Sequence, residues 1–118
     1  MVEHFPDSVR IPVPGNKIVD EHIGVVSTGE RRLSVAHMQA PGEWSEPFQT
    51  PEFDEFTVVL SGSLLVEHGE GERTVVSAGE SVKAVAGERI RYSTGPEGAE
   101  YIAVCLPAFT PETVHRDE

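Results

Sequence analysis

The sequence holds a single cysteine, Cys105, among its 118 residues. No intrachain disulfide can form, so the fold depends on its own core, and cysteine usage leaves the redox compartment open. Basic residues are scarce as well: nine Lys and Arg face twenty Asp and Glu, for a net charge of −11. Without a surplus of cations a chain cannot neutralise a phosphate backbone, so nucleic acid is not an expected partner. No stretch approaches the ~18 consecutive apolar residues of a membrane span, and no membrane partner is expected. Residues 1–10 interleave Glu3, His4 and Asp7 with apolar residues instead of presenting a basic region followed by an apolar run, so no signal peptide is expected. A soluble cytoplasmic protein is the default expectation. Aromatics are few, at 7%, which leaves the core to Val, Ala and Leu. Also missing are a sustained helical period, a Gly-rich phosphate loop, a locally supported Ser-His-Asp arrangement and a cysteine pair for zinc.

What the chain has in quantity is punctuation. Eleven glycines and nine prolines separate short runs that alternate or are β-branched. Lys17 to Val19 and Ile23 to Val26 read as short strands. Arg31 to Met38 places Leu33, Val35 and His37 on one face and Ser34, Ala36 and Met38 on the other. Phe53 to Leu60 is the strongest strand, with Glu55, Thr57 and Val59 on one face. Ser61-Gly62-Ser63 reads as a tight turn into Leu64 to His68. Residues 69–72 form a hairpin tip, and Arg73 to Ser77 returns. Ser81 to Ala86, Arg89 to Thr94 and Ala99 to Leu106 follow, with Gly95-Pro96-Glu97-Gly98 read as a turn between the last two. Pro107 to Glu118 reads as a polar tail, with at most one helical turn at Pro111 to His115. Short strands every 8–12 residues with glycine turns imply an all-β sandwich or barrel, and the length suits one domain.

The spacing from Gly42 to Gly62 is more specific. Gly42 is followed by five residues, then Phe48-Gln49-Thr50, four residues, Glu55, six residues and Gly62. This resembles the first motif of the cupin superfamily: glycine, five residues, His-x-His, three or four residues, Glu, six residues, glycine. Gly79, five residues, Val85-Ala86-Gly87, two residues, Ile90, three residues and Thr94 resemble the second motif, which has Pro-x-Gly, a His and often an Asn at the last three places. Residues 107–115 resemble the tails that follow the barrel in many small bacterial cupins. The resemblance implies a jelly-roll barrel (a double-stranded β-helix) of two antiparallel sheets, with an interior pocket lined from both motifs, commonly assembled as a homodimer. On this reading residues 1–30 pack on or extend the barrel, 31–106 are its core and 107–118 the tail.

The glycine framework matches the family and the ligands do not. The resemblance puts Phe48, Thr50 and Ile90 where three metal-binding histidines are usual, and only Glu55 keeps its type. Phenyl and branched alkyl groups cannot bind a metal, and one carboxylate holds a transition metal poorly. No cofactor is therefore expected. The proline-rich loop also admits a one-residue slip, which reverses which side chains point inward. Gln49 then enters the pocket beside Glu55. A divalent metal, if held at all, would sit on Glu55 with Gln49 and His37, although the plainer reading of His37 is a barrel or surface histidine.

Glu55 and Tyr92 are the candidate catalytic residues. A carboxylate inside a barrel without a metal serves as a general acid or base, or anchors a cationic or hydroxyl-bearing ligand. Tyr92 shares a face with Ile90 and Thr94, and a phenol turned inward needs a partner, for which Glu55 is a candidate. The expected pocket comprises Trp44, Phe48, Gln49, Thr50, Glu55, Thr57, Ile90 and Tyr92. Arg89 and Arg91 fall on the opposite face, and Cys105 reads as a buried core thiol. The resulting expectation is a barrel that binds a small polar or sugar-like molecule without the usual metal. Two alternatives stand beside it. One is an isomerase, lyase or oxygenase using a non-standard metal site or Glu55 as acid and base. The other is a structural, partner-binding barrel.

Overall fold

The computed structural model describes residues 1–117. It is all-β, with seven strands: β1 (Val9–Arg10), β2 (Ile18–Ile23), β3 (Ser34–Ala40), β4 (Asp54–His68), β5 (Glu72–Ser77), β6 (Ser81–Ala84) and β7 (Ile90–Leu106). Every pairing is antiparallel, in the order β1-β2-β3-β7-β4-β5, with β6 also on β4. Among the described residues no helix is long and apolar enough to cross a membrane.

Two strands are much longer than the rest, and they make the jelly roll. The first half of β4 pairs with the end of β7, as in Glu55 with Cys105 and Val59 with Tyr101. The second half pairs with its start, as in Leu64 with Thr94 and His68 with Ile90. β6 and β3 flank the first of these regions and β5 flanks the second. Each long strand therefore passes from one layer into the other, and the two layers close over a shared interior.

This corrects the reading of two turns. Ser61-Gly62-Ser63 and Gly95 to Gly98 do not reverse the chain. They are irregularities inside β4 and β7, with the register shifting between Val59 and Ser61 and between Gly62 and Leu64. Both Gly62 and Gly98 have φ of +71, where an L side chain is strained. A Cβ on Gly62 would lie 2.1 Å from the carbonyl oxygen of Gly98, and one on Gly98 would lie 2.5 Å from that of Ala40. The glycines let three backbone segments touch where the strands bend between layers.

Two other expectations change. The strand expected at Ile23 to Val26 ends at Ile23, and the chain turns through residues 24–28 around the carboxylate of Glu21, whose Oε2 accepts the Ser27 amide at 2.8 Å. The tail is not merely polar. Ala108 and Val114 are buried, and Val114 packs with Phe53 and Cys105. Residues 111–114 form a turn, not a helix.

The interior is filled unevenly. Val59, Leu64, Val66, Val76, Ile90, Tyr92, Trp44 and Tyr101 belong to one apolar cluster. The inner faces of β3 and the end of β7 carry Ser34, Ala36, Ala103 and Cys105 instead. These short side chains leave space.

Candidate functional site

That space is a cavity of about 230 Å³. Small residues from β3 and β7 form part of its wall. Phe53 and Phe109, edge to face with centroids 6.1 Å apart, stand beside them. The segment Ile11, Val13, Pro14, Gly15 and the loop Trp44 to Pro47 also line it. The two meet, since a Cβ on Gly15 would lie 3.8 Å from the Trp44 ring. The loop is fastened from beneath. Thr94 donates its amide to the Trp44 carbonyl at 2.9 Å and accepts the Trp44 amide on Oγ1 at 3.0 Å.

The polar wall comes from five places in the chain: Lys17 ahead of β2, Glu46 and Gln49 from the loop, Glu55 on β4, Tyr92 and Tyr101 on β7, and Arg116 in the tail. Glu46 Oε1, Glu55 Oε1 and the hydroxyls of Tyr92 and Tyr101 are sealed from solvent and have no hydrogen-bond partner among the described residues. The other oxygen of Glu55 accepts the Cys105 thiol at 3.7 Å. Burial pushes that thiol up, with Glu55 adding to the effect, so Cys105 stays a neutral donor and a poor nucleophile. Burial also raises Glu46 to about 7, against the opposing charge of Lys17. Both phenols are raised well above their ordinary value by burial first and by the neighbouring carboxylates next. Lys17 is lowered by burial, with Glu46 and Glu55 opposing.

Of the residues expected in the pocket, Trp44, Gln49, Glu55 and Tyr92 line the cavity, and Phe48, Thr50, Thr57 and Ile90 do not. The backbone decides this around Gln49. Its amide and carbonyl both pair with Ile90, at 2.8 and 2.9 Å. Gln49 is thereby turned inward, and alternation turns Phe48 and Thr50 out. The Phe48 ring lies 4.0 Å from the Arg89 guanidinium and 4.8 Å from that of Arg91, while the Thr50 amide bonds the His115 carbonyl. Thr57 and Ile90 face the interior but belong to its packed part.

His37 is placed away from the cavity. Ser34, Ala36 and Met38 are the cavity-facing residues of β3, and His37 meets Glu100 at 2.6 Å on the other face. A metal set of Glu55, Gln49 and His37 is therefore not assembled. The usual cupin positions do not fit a metal either, because Phe48 and Ile90 offer no donor and Thr50 points elsewhere. Among the described residues no group of three or more His, Cys, Asp or Glu converges.

Lys17, Glu46, Tyr101 and Arg116 were not among the expected site residues. For two of them a signal existed. Lys17, just ahead of β2, continues the inward alternation of Val19 and Glu21, and Tyr101 shares its parity with Ala99, Ala103 and Cys105.

A two-layered antiparallel barrel whose long strands cross between layers around an interior cavity defines a jelly-roll barrel. The chain belongs to the cupin family: the Cupin domain model matches residues 35–105. It is similar to the endoribonuclease YbeY of Myxococcus xanthus strain DK1622, at 44% identity over 108 residues, which cover 91% of this chain and 36% of that protein. The chain thus spans about a third of that curated relative's length. Among solved structures, a putative ethanolamine utilization protein Q from Salmonella typhimurium LT2 superposes with a TM-score of 0.65 at 28% identity, covering 81% of this chain and 73% of that one. A variant of oxalate decarboxylase from Bacillus subtilis reaches 0.78 at 19% identity, covering 95% of this chain and 31% of that one. The second likeness shows the fold alone.

Proposed function

We propose that this cupin-domain protein binds a small, hydroxyl-bearing molecule in its cavity without the metal usual in the family. One observation carries the reading: four oxygens at the cavity, on Glu46, Glu55, Tyr92 and Tyr101, are buried without partners. Each buried polar atom left unpaired costs about 1–3 kcal/mol. A ligand whose hydroxyls both donate to the carboxylates and accept from the phenols recovers that cost, and a polyol or sugar-like molecule has this chemistry. The aromatic faces of Trp44, Tyr92 and Tyr101 suit its carbon skeleton.

The name of the curated relative raises RNA cleavage as a function. The charge balance of this region, nine basic residues against twenty acidic ones, argues against it.

The test is a thermal-shift screen of short polyols, pentoses and hexoses, followed by calorimetric titration. A ligand of the native state raises the melting temperature, with about 2.7 kcal/mol of stabilisation at a hundred times Kd. Glu55→Gln and Tyr92→Phe should each weaken the binding of the best compound. Elemental analysis of protein purified without chelator or tag gives the opposing result: near one equivalent of a transition metal, lost in Glu55→Ala, overturns the metal-free reading.

The homodimer is proposed on a different face. From β3 to β6 the outward rows Val35–Val104–Phe56–Lys83 and His37–Ile102–Val58–Ser81 carry no acid, and the nearest carboxylates, Asp20 and Glu100, flank His37 at their margin. Phe56 and Val58 are exposed there, with Leu60 beside them. In a chain of charge −11 this is a face where a second copy can dock through apolar side chains, with Asp20 and Glu100 kept to its margin. Sedimentation should show a dimer for the native chain and a monomer for Val58→Glu; a native monomer overturns the assignment.

A further inference from the structure

We propose that Lys17 is a nucleophilic amine that captures a small neutral hydroxy-aldehyde in the cavity as an imine. The proposal rests on the ligand-binding reading of the same cavity and names the class of substrate it takes.

Long lysines ordinarily run their stems along apolar surface and keep the ammonium in water. Lys17 is half-buried and turns toward the cavity instead. Just ahead of β2, it continues the inward alternation of Val19 and Glu21, and its Nζ lies 4.5 Å from the centroid of the Trp44 ring and 5.3 Å from that of Tyr101. An ammonium has three hydrogens to donate. Among the described residues the Lys17 ammonium makes no hydrogen bond and no ion pair, although seven arginine or histidine side chains elsewhere find carboxylates. Glu46 and Glu55 act on it as charges without closing on it. A lysine drawn out of water into a mostly apolar cavity, with no carboxylate hydrogen-bonded to it, has its ammonium disfavoured and its lone pair made available for attack on a carbonyl. The depressed basicity that burial gives it agrees with this geometry.

The neighbours supply the rest of the reaction. The Nζ lone pair forms a bond to the carbonyl carbon, and the carbonyl π pair moves onto oxygen, which takes up a proton that the nitrogen releases. The hydroxyls of Tyr92 and Tyr101 are free to donate hydrogen bonds to that oxygen. Expulsion of the hydroxyl then needs an acid. Glu46, raised to about 7 by burial, still carries its proton in a large share of molecules at neutral pH. Glu46 gives its proton to the hydroxyl, which leaves as water while the nitrogen lone pair forms the C=N bond, and the nitrogen returns its second hydrogen to the Glu46 carboxylate. Amine and aldehyde become imine and water with no oxidant or reductant involved. A space of about 230 Å³ limits the substrate to a small molecule. The carboxylates of Glu46 and Glu55 disfavour an anionic one and favour hydroxyls that can donate.

The chain provides its own control, because it has only two lysines and the other, Lys83, is exposed. Native protein is incubated with limiting glycolaldehyde and sodium cyanoborohydride, which reduces an imine to a stable amine. Peptide mass mapping then reads the site. Lys17 should be modified at least about tenfold faster than Lys83 and the Met1 amine, and Glu46→Gln should remove most of that advantage, as loss of a general acid does. Equal or faster modification of Lys83 overturns the proposal, and so does an unchanged advantage in Glu46→Gln. A parallel thermal-shift measurement with erythritol, which has no carbonyl, reads the cavity alone. A positive erythritol shift with no preference for Lys17 removes the capture step and keeps the binding reading. No erythritol shift together with preferential labelling of Lys17 removes the polyol reading and keeps the nucleophile.

Discussion

Replacing Glu46 with glutamine should make stability less dependent on pH, with a calculable sign and size. The folded protein holds the Glu46 proton up to about 7, whereas the ordinary value is 4.5. Burial is the main cause and the charge of Glu55 adds to it, while Lys17 and Arg116 oppose it. Between 4.5 and about 7 the folded state therefore binds more protons at this site than the unfolded state. Stability from this group is complete below the lower value and lost as pH rises through the upper one. At about 1.4 kcal/mol for each pH unit, the loss amounts to about 3 kcal/mol. Glutamine copies the shape of the neutral acid and cannot ionise. The variant should thus gain on the native protein by about 3 kcal/mol between acid and mildly alkaline solution, or about 10 °C in melting temperature for a domain of this size. Urea unfolding of both proteins across that pH range measures it, and taking the difference cancels the other carboxylates. A difference that stays constant with pH would show that Glu46 titrates normally, and the acid assigned to the cavity would be lost with it.

Two further outcomes follow from the same geometry. Tyr101→Phe should stabilise the free protein by about 1 kcal/mol, because it deletes a buried hydroxyl with no partner, while weakening polyol binding; a destabilised variant in thermal unfolding would mean that the hydroxyl is satisfied. Gly62→Ala should cost at least about 3 kcal/mol, since about 1–2 kcal/mol comes from the left-handed backbone alone and the new Cβ meets the Gly98 carbonyl at 2.1 Å; a loss below about 1 kcal/mol would mean that β4 and β7 re-set their register freely.

The fold was legible because alternation and glycine spacing are local signals, and β3, the first half of β4 and the end of β7 announce themselves in short windows. The two mistaken turns show the limit. Gly-containing segments look alike whether a chain reverses or bends, and only the partner strand distinguishes them. For Ser61-Gly62-Ser63 that partner lies near residue 99, far along the sequence. Parity also sorted β3 into two faces without saying which one faced in, so His37 stayed open until its pairing with Glu100 was seen. Glu55 and Tyr92 were readable from regular strands. Glu46 and Arg116 were not, because the proline-rich loop and the tail have no period from which a direction can be taken. The slip that brings Gln49 inward is set by its two backbone bonds to Ile90, a contact across 41 positions of sequence.

The shared strands have a dynamic consequence. Because β4 and β7 each run through both layers, no hydrogen-bonded seam exists along which one layer can peel away while the other stays folded. A molecule seated against Glu55 grips the same strand whose far half, Leu64 to His68, carries the packed end of the barrel. Its binding free energy is thus distributed over one cooperative unit and not confined to a local patch. Amide exchange along the whole of β4 should slow together when the cavity fills, as far as His68, which touches nothing in the cavity.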